Sequence, residues 1–159
     1  MELREIGPED MLRVSVLLHT AFGGAYEARL VEALRESNDM ALELVAEDGE
    51  RLLGYIAFSS LVLPENWWAM APVAVSPARQ RKGVGSELIR YGLDHARRAG
   101  AKAVVVLGDT SYYRRFGFTL KAAENLTTKI SDNNTMVYPI AANTAGTRSP
   151  LTYPKPFFA

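Results

Sequence analysis

The stretch 72–99 constrains the fold most, because it sets a strand, a loop and a helix in a fixed order. An apolar strand ends at Ser76-Pro77, since proline has no N–H to donate to a sheet. A basic loop follows, and then Gly83 and Gly85, separated by a single residue. From Val84 onward apolar residues recur at helical spacing, which predicts a helix over 84–99.

The start of this helix is suited to binding a phosphate or pyrophosphate. A helix N-terminus offers unpaired N–H groups and partial positive charge, and the loop adds Arg79, Arg81 and Lys82. The P-loop pattern requires a lysine directly after its glycine, and the dinucleotide fingerprint requires a third glycine where this chain has Leu88. On this segment alone, an ordinary strand–loop–helix with a glycine-rich turn remains the alternative.

Two motifs carry a family resemblance. Residues 80–85 (QRKGVG) match the pattern [QR]-x-x-G-x-[GA], and residues 112–118 (YYRRFGF) place Tyr113 four residues before a Gly-Phe pair. Together and in this order they resemble motifs A and B of the GCN5-related N-acetyltransferases. The sequence of these motifs is similar to that of a bacterial subgroup of predicted acetyltransferases, although this chain has Ala71 where that subgroup often has glycine. The resemblance covers residues 40–120 and is weak at both ends.

The resemblance implies the fold and the cofactor. We expect one α/β (α+β) domain over 1–159, with a mixed sheet of about six to seven strands, a splayed parallel pair and about four helices. We also expect acetyl-CoA as co-substrate. Its pyrophosphate is expected at residues 80–86, here called the glycine loop, and its pantetheine between the splayed strands. The residues implied for binding it are Val73, Ala74, Val75, Gln80, Arg81, Lys82, Gly83, Val84, Gly85, Ser86, Tyr113 and Arg115.

The implied reaction is acetyl transfer to a primary amine, for which we expect a small or amino-acid-like acceptor. The resemblance assigns Tyr113 as the acid that protonates the departing thiolate, and the strand backbone at 73–75 as donor to the thioester oxygen. The chain has no cysteine, so direct attack in a ternary complex is favoured over a cysteine relay. The alternatives are a non-catalytic acyl-CoA sensor and a protein lysine or N-terminal acetyltransferase.

The residues leave the general base and the acceptor pocket open. Glu27, Glu65, Asp109 and a water chain are all candidates for the base. The aromatic residues Tyr26, Trp67 and Trp68 are candidates for the pocket, although such residues belong to the core more often. Proton removal is needed because an amine with a pKa near 10 is charged at neutral pH.

Composition narrows the class of protein. Net charge is zero, so nucleic acid and anionic membrane are not expected partners. The absence of cysteine, with only two histidines, argues against a metal site. No apolar run reaches the roughly 20 residues of a membrane helix, and the acidic N-terminus lacks signal-peptide features, which predicts a cytoplasmic protein. The sequence leaves homodimer formation open.

Outside the motifs, periodicity predicts a short strand at 2–6, helices at 8–22 and 25–36, and a hairpin at 41–61 turning at Asp48-Gly49. Pro72 interrupts the strand 67–75, so we expect a bulge or a local loss of pairing. Further strands are predicted at 102–107 and 135–140, with a short helix at 110–116 between them. The proline-rich segment 143–156 is predicted as loop, with Thr152-Tyr153 as a candidate partner for an antiparallel pair.

Overall fold

The structure is a computed structural model that describes residues 1–129 and 134–158. Six strands form one mixed sheet in the order β1-β2-β3-β4-β5-β7, and two short strands, β6 and β8, form a parallel pair. The strands are β1 Glu2–Glu5, β2 Met40–Asp48, β3 Arg51–Ser60, β4 Trp67–Val75, β5 Ala103–Leu107, β6 Leu126–Thr127, β7 Thr135–Pro139 and β8 Ser149–Pro150. The helices are α1 Met11–Phe22, α2 Tyr26–Glu36, α3 Val84–Ala99 and α4 Thr110–Arg114. No helix within the described ranges is long and apolar enough to cross a bilayer.

Helices and the C-terminal segment cover both faces of the sheet. α3 packs on one face, where Leu88 and Ile89 lie in a core cluster with Phe58 of β3. α1 and α2 cover part of the opposite face, where Val14 and Val31 contact the sheet. Because α3 presents one continuous apolar face, its burial fixes the position of its N-terminus beside the end of β4. The predicted fold class, with its mixed sheet and four helices, is confirmed.

β4 contains the predicted bulge. On β3, Ile56 pairs with Val73 and Phe58 pairs with Met70, so β4 has one more residue than β3 between these two pairs. The extra residue falls at 71–72, where Pro72 has no N–H for the ladder.

β4 and β5 are paired in parallel over only part of their length. The pairing runs from Trp67 with Ala103 to Ala69 with Val105 and stops there. Beyond Ala69 the bulge redirects β4, and the two strands separate toward their carboxyl ends. The expected splayed parallel pair is therefore present, and it opens a gap on the side of the sheet that carries the glycine loop.

Gly54 in β3 lets α3 approach the sheet closely near its N-terminus. A Cβ at this position would lie 2.8 Å from Leu88 Cδ1 and 2.9 Å from Val84 Cγ1. Since real Cβ atoms do not come so close to other heavy atoms, a larger residue here would push the first turns of α3 away from the strands.

The C-terminal part differs from the expectation. Thr152 pairs with Leu63 in the turn before β4, through N–H···O bonds of 2.9 and 3.3 Å. The outer edge of β7 is instead bridged at Val137 by Thr119. Thr152 therefore pairs antiparallel, as the sequence allowed, but its partner is Leu63 and not β7, because the segment packs across the sheet face and does not extend its edge. Residues 130–133, just before β7, lie outside the described part of the chain.

The helical pair ends as predicted and buries most of the predicted face, which includes Val14, Leu18, Leu30, Val31 and Leu34. α1 terminates at Gly23, whose φ of 72° is favourable for glycine and whose N–H donates to His19 O at 2.9 Å. Phe22 and Tyr26, which periodicity places inward, are 44 % and 52 % exposed. Both side chains reach the mouth of the cleft described below, so their apolar surface is available to a ligand.

Asp10 anchors the start of α1 in a buried charge cluster. Its carboxylate accepts hydrogen bonds from Arg4 Nη1 at 2.7 Å, Arg13 Nη2 at 2.7 Å and Gly7 N at 2.8 Å. The hydrogen bond from Arg4, with those from Gly7 and Arg13, holds the pKa of Asp10 well below its usual range. The ionised carboxylate is therefore favoured by the folded state.

Replacing Asp10 with alanine should destabilise the protein by about 2–3 kcal/mol at pH 7, less than for a fully buried pair because both arginines remain partly exposed. Because the pKa is depressed by folding, this stabilisation is present above about pH 4 and is lost as the pH falls further. Urea unfolding at pH 7 and at pH 3 measures the difference, with the exposed Glu36→Gln as control. An equal deficit at both pH values would contradict the electrostatic origin.

Candidate active site

The glycine loop presents backbone N–H groups to solvent at the start of α3. Gly83 adopts φ 87° and Arg81 φ 65°, so the chain passes twice through the left-handed region before the helix. The first N–H to donate within the helix is that of Glu87, to Gly83 O at 3.1 Å. The N–H groups of residues 83–86 precede it and have no acceptor among the described residues, so they can meet an anion.

Side chains around the loop divide into those that shape it and those that face solvent. Gln80 Nε2 donates to Val75 O at 3.2 Å, which ties the loop to the end of β4. Arg79 Nη2 lies 4.0 Å from a carboxylate oxygen of Asp48 and is directed toward the hairpin. Arg81 and Lys82 are exposed, so of the three loop cations these two remain available to a ligand.

Arg115 brings a further cation to the helix start. Its Nη2 donates to Ser86 Oγ at 3.0 Å, and its guanidinium lies 5.0 Å from the ring centroid of Tyr112. These contacts connect α4 to the first turn of α3. Two residues of the predicted set, Ser86 and Arg115, are thereby in direct contact.

The end of β4 directs alternate backbone groups into the gap beside β5. Ser76 N donates to Leu53 O on β3 at 2.8 Å. Alternate residues in an antiparallel ladder direct their N–H and C=O groups to the same edge, so Ala74 also faces β3. Val73 and Val75 face the other way, into the gap, which agrees with the acceptance by Val75 O of the bond from Gln80.

This alternation separates the three strand residues predicted as a group. Val73 and Val75 have the orientation needed to hydrogen-bond a ligand. Ala74 is 1 % exposed and packs among residues of α1 and β3, so its place is in the fold that holds the strand.

A cleft of about 450 Å³ occupies the gap between β4 and β5. One wall is the bulged strand, and another is α2 with the end of α1. The C-terminal segment forms a further wall. The lining residues are Phe22, Tyr26, Glu27, Leu30, Ala69, Met70, Ala71, Pro72, Val73, Val105, Leu107, Tyr113, Tyr153 and Phe157.

Tyr113 and Tyr112 point to different places. Tyr113 lines the cleft and packs close to Gly108, where an added Cβ would lie 2.9 Å from its ring. Tyr112 places its hydroxyl beside Gly85, 3.2 Å from a Cβ built there. Burial, together with Tyr112 and Asp109, raises the pKa of Tyr113 above its usual value. Its hydroxyl therefore stays protonated at neutral pH and can donate a proton within the cleft.

The structure also places candidates for the general base and for the acceptor pocket, some inside the cleft and some outside it. Glu27 lines the cleft, whereas the Asp109 carboxylate caps α4 by accepting from Ser111 N and Tyr112 N; these bonds lower the pKa of Asp109. Trp67 is buried in the core. Trp68 packs against the core cluster that contains Leu88 and Ile89 of α3. Neither tryptophan lines the cleft.

Sequence reasoning missed several cleft residues. The sequence patterns do not single out Leu107, Tyr153 or Phe157 as site residues, and helical periodicity places Phe22 on the apolar face of α1. The rings of Tyr153 and Phe157 lie 5.0 Å apart and form a pair on the cleft wall. The sequence signal for this wall is the group Tyr153, Phe157 and Phe158 in the proline-rich C-terminal segment, because large aromatic side chains need a surface to pack on.

Comparison with known proteins identifies the class. The sequence profile of the acetyltransferase (GNAT) family matches residues 11–118. The chain belongs to this family. The membership predicted from the two motifs, and the acetyltransferase activity that defines the family, are confirmed. This acetyltransferase is 42 % identical over 123 residues to the uncharacterized N-acetyltransferase YhbS of Escherichia coli K12, covering 75 % of this chain and 74 % of that protein.

Two solved structures resemble this acetyltransferase over nearly its whole length. The crystal structure of YhbS from Escherichia coli in complex with CoA superposes with a TM-score of 0.91 at 33 % identity, covering 99 % of this chain and 92 % of that one. The second, a GNAT family acetyltransferase from Brucella melitensis in complex with acetyl-CoA, has a TM-score of 0.83 at 34 % identity, covering 98 % and 97 %.

Proposed function

We propose that this acetyltransferase transfers the acetyl group of acetyl-CoA to the primary amine of a small molecule by direct attack in a ternary complex. The N–H groups of residues 83–86 would bind the pyrophosphate, with Arg81, Lys82 and Arg115 adding positive charge. Val73 and Val75 would hydrogen-bond the pantetheine arm and thioester, which places the acetyl group in the cleft. The complexes of the two structural relatives with CoA and acetyl-CoA support this assignment.

In the reaction, the free amine attacks the thioester carbon, a C–N bond forms and the C–S bond breaks. Backbone N–H groups of the gap stabilise the negative charge that develops on the carbonyl oxygen. Tyr113 donates its proton to the leaving thiolate. An ammonium acceptor loses two protons in all; one restores Tyr113 and the other passes to solvent, so the products are an amide, free coenzyme A and one proton.

One observation carries the proposal: Tyr113 and Val73, whose backbone N–H and C=O face away from β3, line the same cleft, at the end of the strand that leads to the glycine loop. A proton donor, hydrogen-bonding backbone and an anion-binding helix start thus follow one path along the protein. Such an arrangement suits a long ligand with a phosphate at one end and a reacting carbonyl at the other.

A thiol-release assay tests the proposal. Purified protein is given acetyl-CoA and a panel of primary amines, and free thiol and amide product are both quantified. We expect amide and thiol in equal amounts, with no acetyl-protein detected by mass spectrometry. Coenzyme binding in calorimetry without transfer to any amine would overturn the proposal in favour of a sensor.

Arg115→Ala should weaken coenzyme A binding by about 1 kcal/mol, since one charged group at the helix start is lost. The exposed Arg114→Ala removes an equal charge one residue away and serves as control. Calorimetry at fixed ionic strength measures both affinities. Equal losses in the two variants would mean that only general surface charge matters, and would remove Arg115 from the binding site.

A further inference from the structure

The charge pattern of the cleft restricts which amines can enter it. Among the lining residues that the structure describes, Glu27 is the one side chain that is charged at neutral pH. The rest of the wall is aliphatic or aromatic, with the exposed Phe22 and Tyr26 and the Tyr153–Phe157 pair among its residues. A cation is therefore the one charge that this cleft can neutralise.

Glu27 also differs from the other carboxylates that are buried or partly buried in the described part of the chain, because it lacks a hydrogen-bond donor there. Those carboxylates all have donors within the protein: Asp10, Asp39, Glu43 and Glu47. Glu27 is partly buried at the first turn of α2, and it has no hydrogen-bond or ion-pair partner among the described residues. A carboxylate held without a partner beside apolar walls gains most from an incoming ammonium group.

We propose that Glu27 binds the ammonium group of the acceptor, and that the acceptor class is an apolar monoamine, an alkyl or arylalkyl amine without a carboxylate. This inference rests on the proposed acetyl transfer and narrows its substrate. The aromatic walls receive the apolar part of the amine, and Glu27 holds the nitrogen in the cleft that also contains Tyr113.

Other amine classes place a charge where the described lining offers no counter-charge. The carboxylate of an amino acid would enter a site whose one ionised group is Glu27, of the same sign. A diamine would bring a second ammonium against aliphatic and aromatic side chains. Burying either charge unpaired is costly, so the amino-acid-like acceptor considered from the sequence is disfavoured by the cleft.

Matched probes test the inference. Phenethylamine, phenylalanine and butane-1,4-diamine differ by an added carboxylate or a second ammonium, and a lysine-containing peptide presents an alkyl amine on a polymer. We expect kcat/KM for phenethylamine to exceed that for each of the others by roughly tenfold or more. A higher value for phenylalanine, the diamine or the peptide would overturn the inference while leaving amine acetylation intact.

Glu27→Gln should raise KM for phenethylamine roughly tenfold with little change in kcat. It should also reduce the discrimination against phenylalanine, because the repelling charge is gone, and leave coenzyme affinity unchanged. Glu32→Gln, an exposed glutamate on the same helix, is the control. A loss in kcat alone, or equal effects of the two variants, would contradict the anchoring role.

Calorimetry separates this inference from the proposed function. Phenethylamine is titrated into the wild-type protein saturated with coenzyme A, where no transfer can occur. Binding that is lost in Glu27→Gln supports the inference even if no amine is acetylated, whereas absence of binding to the wild-type complex overturns it.

Discussion

Turnover should fall by roughly 10²-fold or more in Tyr113→Phe, while affinity for coenzyme A changes little. The variant keeps the ring that lines the cleft and removes only the hydroxyl. Without that proton donor the thiolate must leave unassisted. Single-turnover rates at saturating acetyl-CoA, with calorimetry for binding, separate the two effects.

The pH profile gives a second readout for the same residue. Burial and the neighbouring Tyr112 and Asp109 raise the pKa of Tyr113, so the acid is protonated at neutral pH and is lost only in the alkaline range. The wild-type rate should therefore decline at high pH, and that decline should be absent in Tyr113→Phe. Tyr112→Phe, which alters a hydroxyl beside Gly85, should retain most of the single-turnover rate. A nearly silent Tyr113→Phe would mean that the tyrosine only packs against the ligand.

Coenzyme A binding should be lost, by more than about 10²-fold, in Gly85→Glu. A Cβ at Gly85 would lie 3.2 Å from the Tyr112 hydroxyl and 3.4 Å from Val75 Cγ2. A glutamate there fills the helix start with a side chain and sets a negative charge against the phosphates. Gly85 is a better probe than Gly83, whose φ of 87° would strain any larger residue.

Thermal unfolding and calorimetry on the same preparation test this prediction. The melting temperature should stay close to that of the wild type, because a Cβ at Gly85, in the partly buried first turn of α3, meets its nearest atoms at 3.2 and 3.4 Å and requires only small shifts of them. Gly85→Ala adds only the Cβ and should bind with intermediate affinity. A folded Gly85→Glu protein with unchanged affinity would move the pyrophosphate site away from this loop.

The sequence could predict features that depend on local backbone chemistry. Gly83 and Gly85 mark the helix start, and Pro72 marks the bulge, because each acts through the conformation or the hydrogen bonding of its own segment. The place of Tyr113 has a different basis, since it is implied by the resemblance of residues 112–118 to motif B. The glycine and proline predictions needed no knowledge of distant contacts.

Features that depend on distant packing could not be predicted in the same way. The orientation of Val73 and Val75 follows from their register with β3, and a one-residue bulge reverses such an orientation. The position of Glu27 in the cleft depends on how α2 lies against β4. Phe157 reaches the cleft only because the C-terminal segment crosses the sheet face, which its proline-rich sequence does not specify.

Residue-resolved amide hydrogen exchange, measured by NMR with and without coenzyme A, tests the central claim that the backbone of the β4–β5 gap binds the co-substrate. The N–H groups of Val73 and Val75 should exchange at least roughly tenfold more slowly in the complex, together with those of residues 83–86. Ala74, already bonded to β3, should be protected in both states. If Val73 and Val75 exchange at the same rate with and without bound coenzyme A, the ligand does not bind in the gap and the account is wrong.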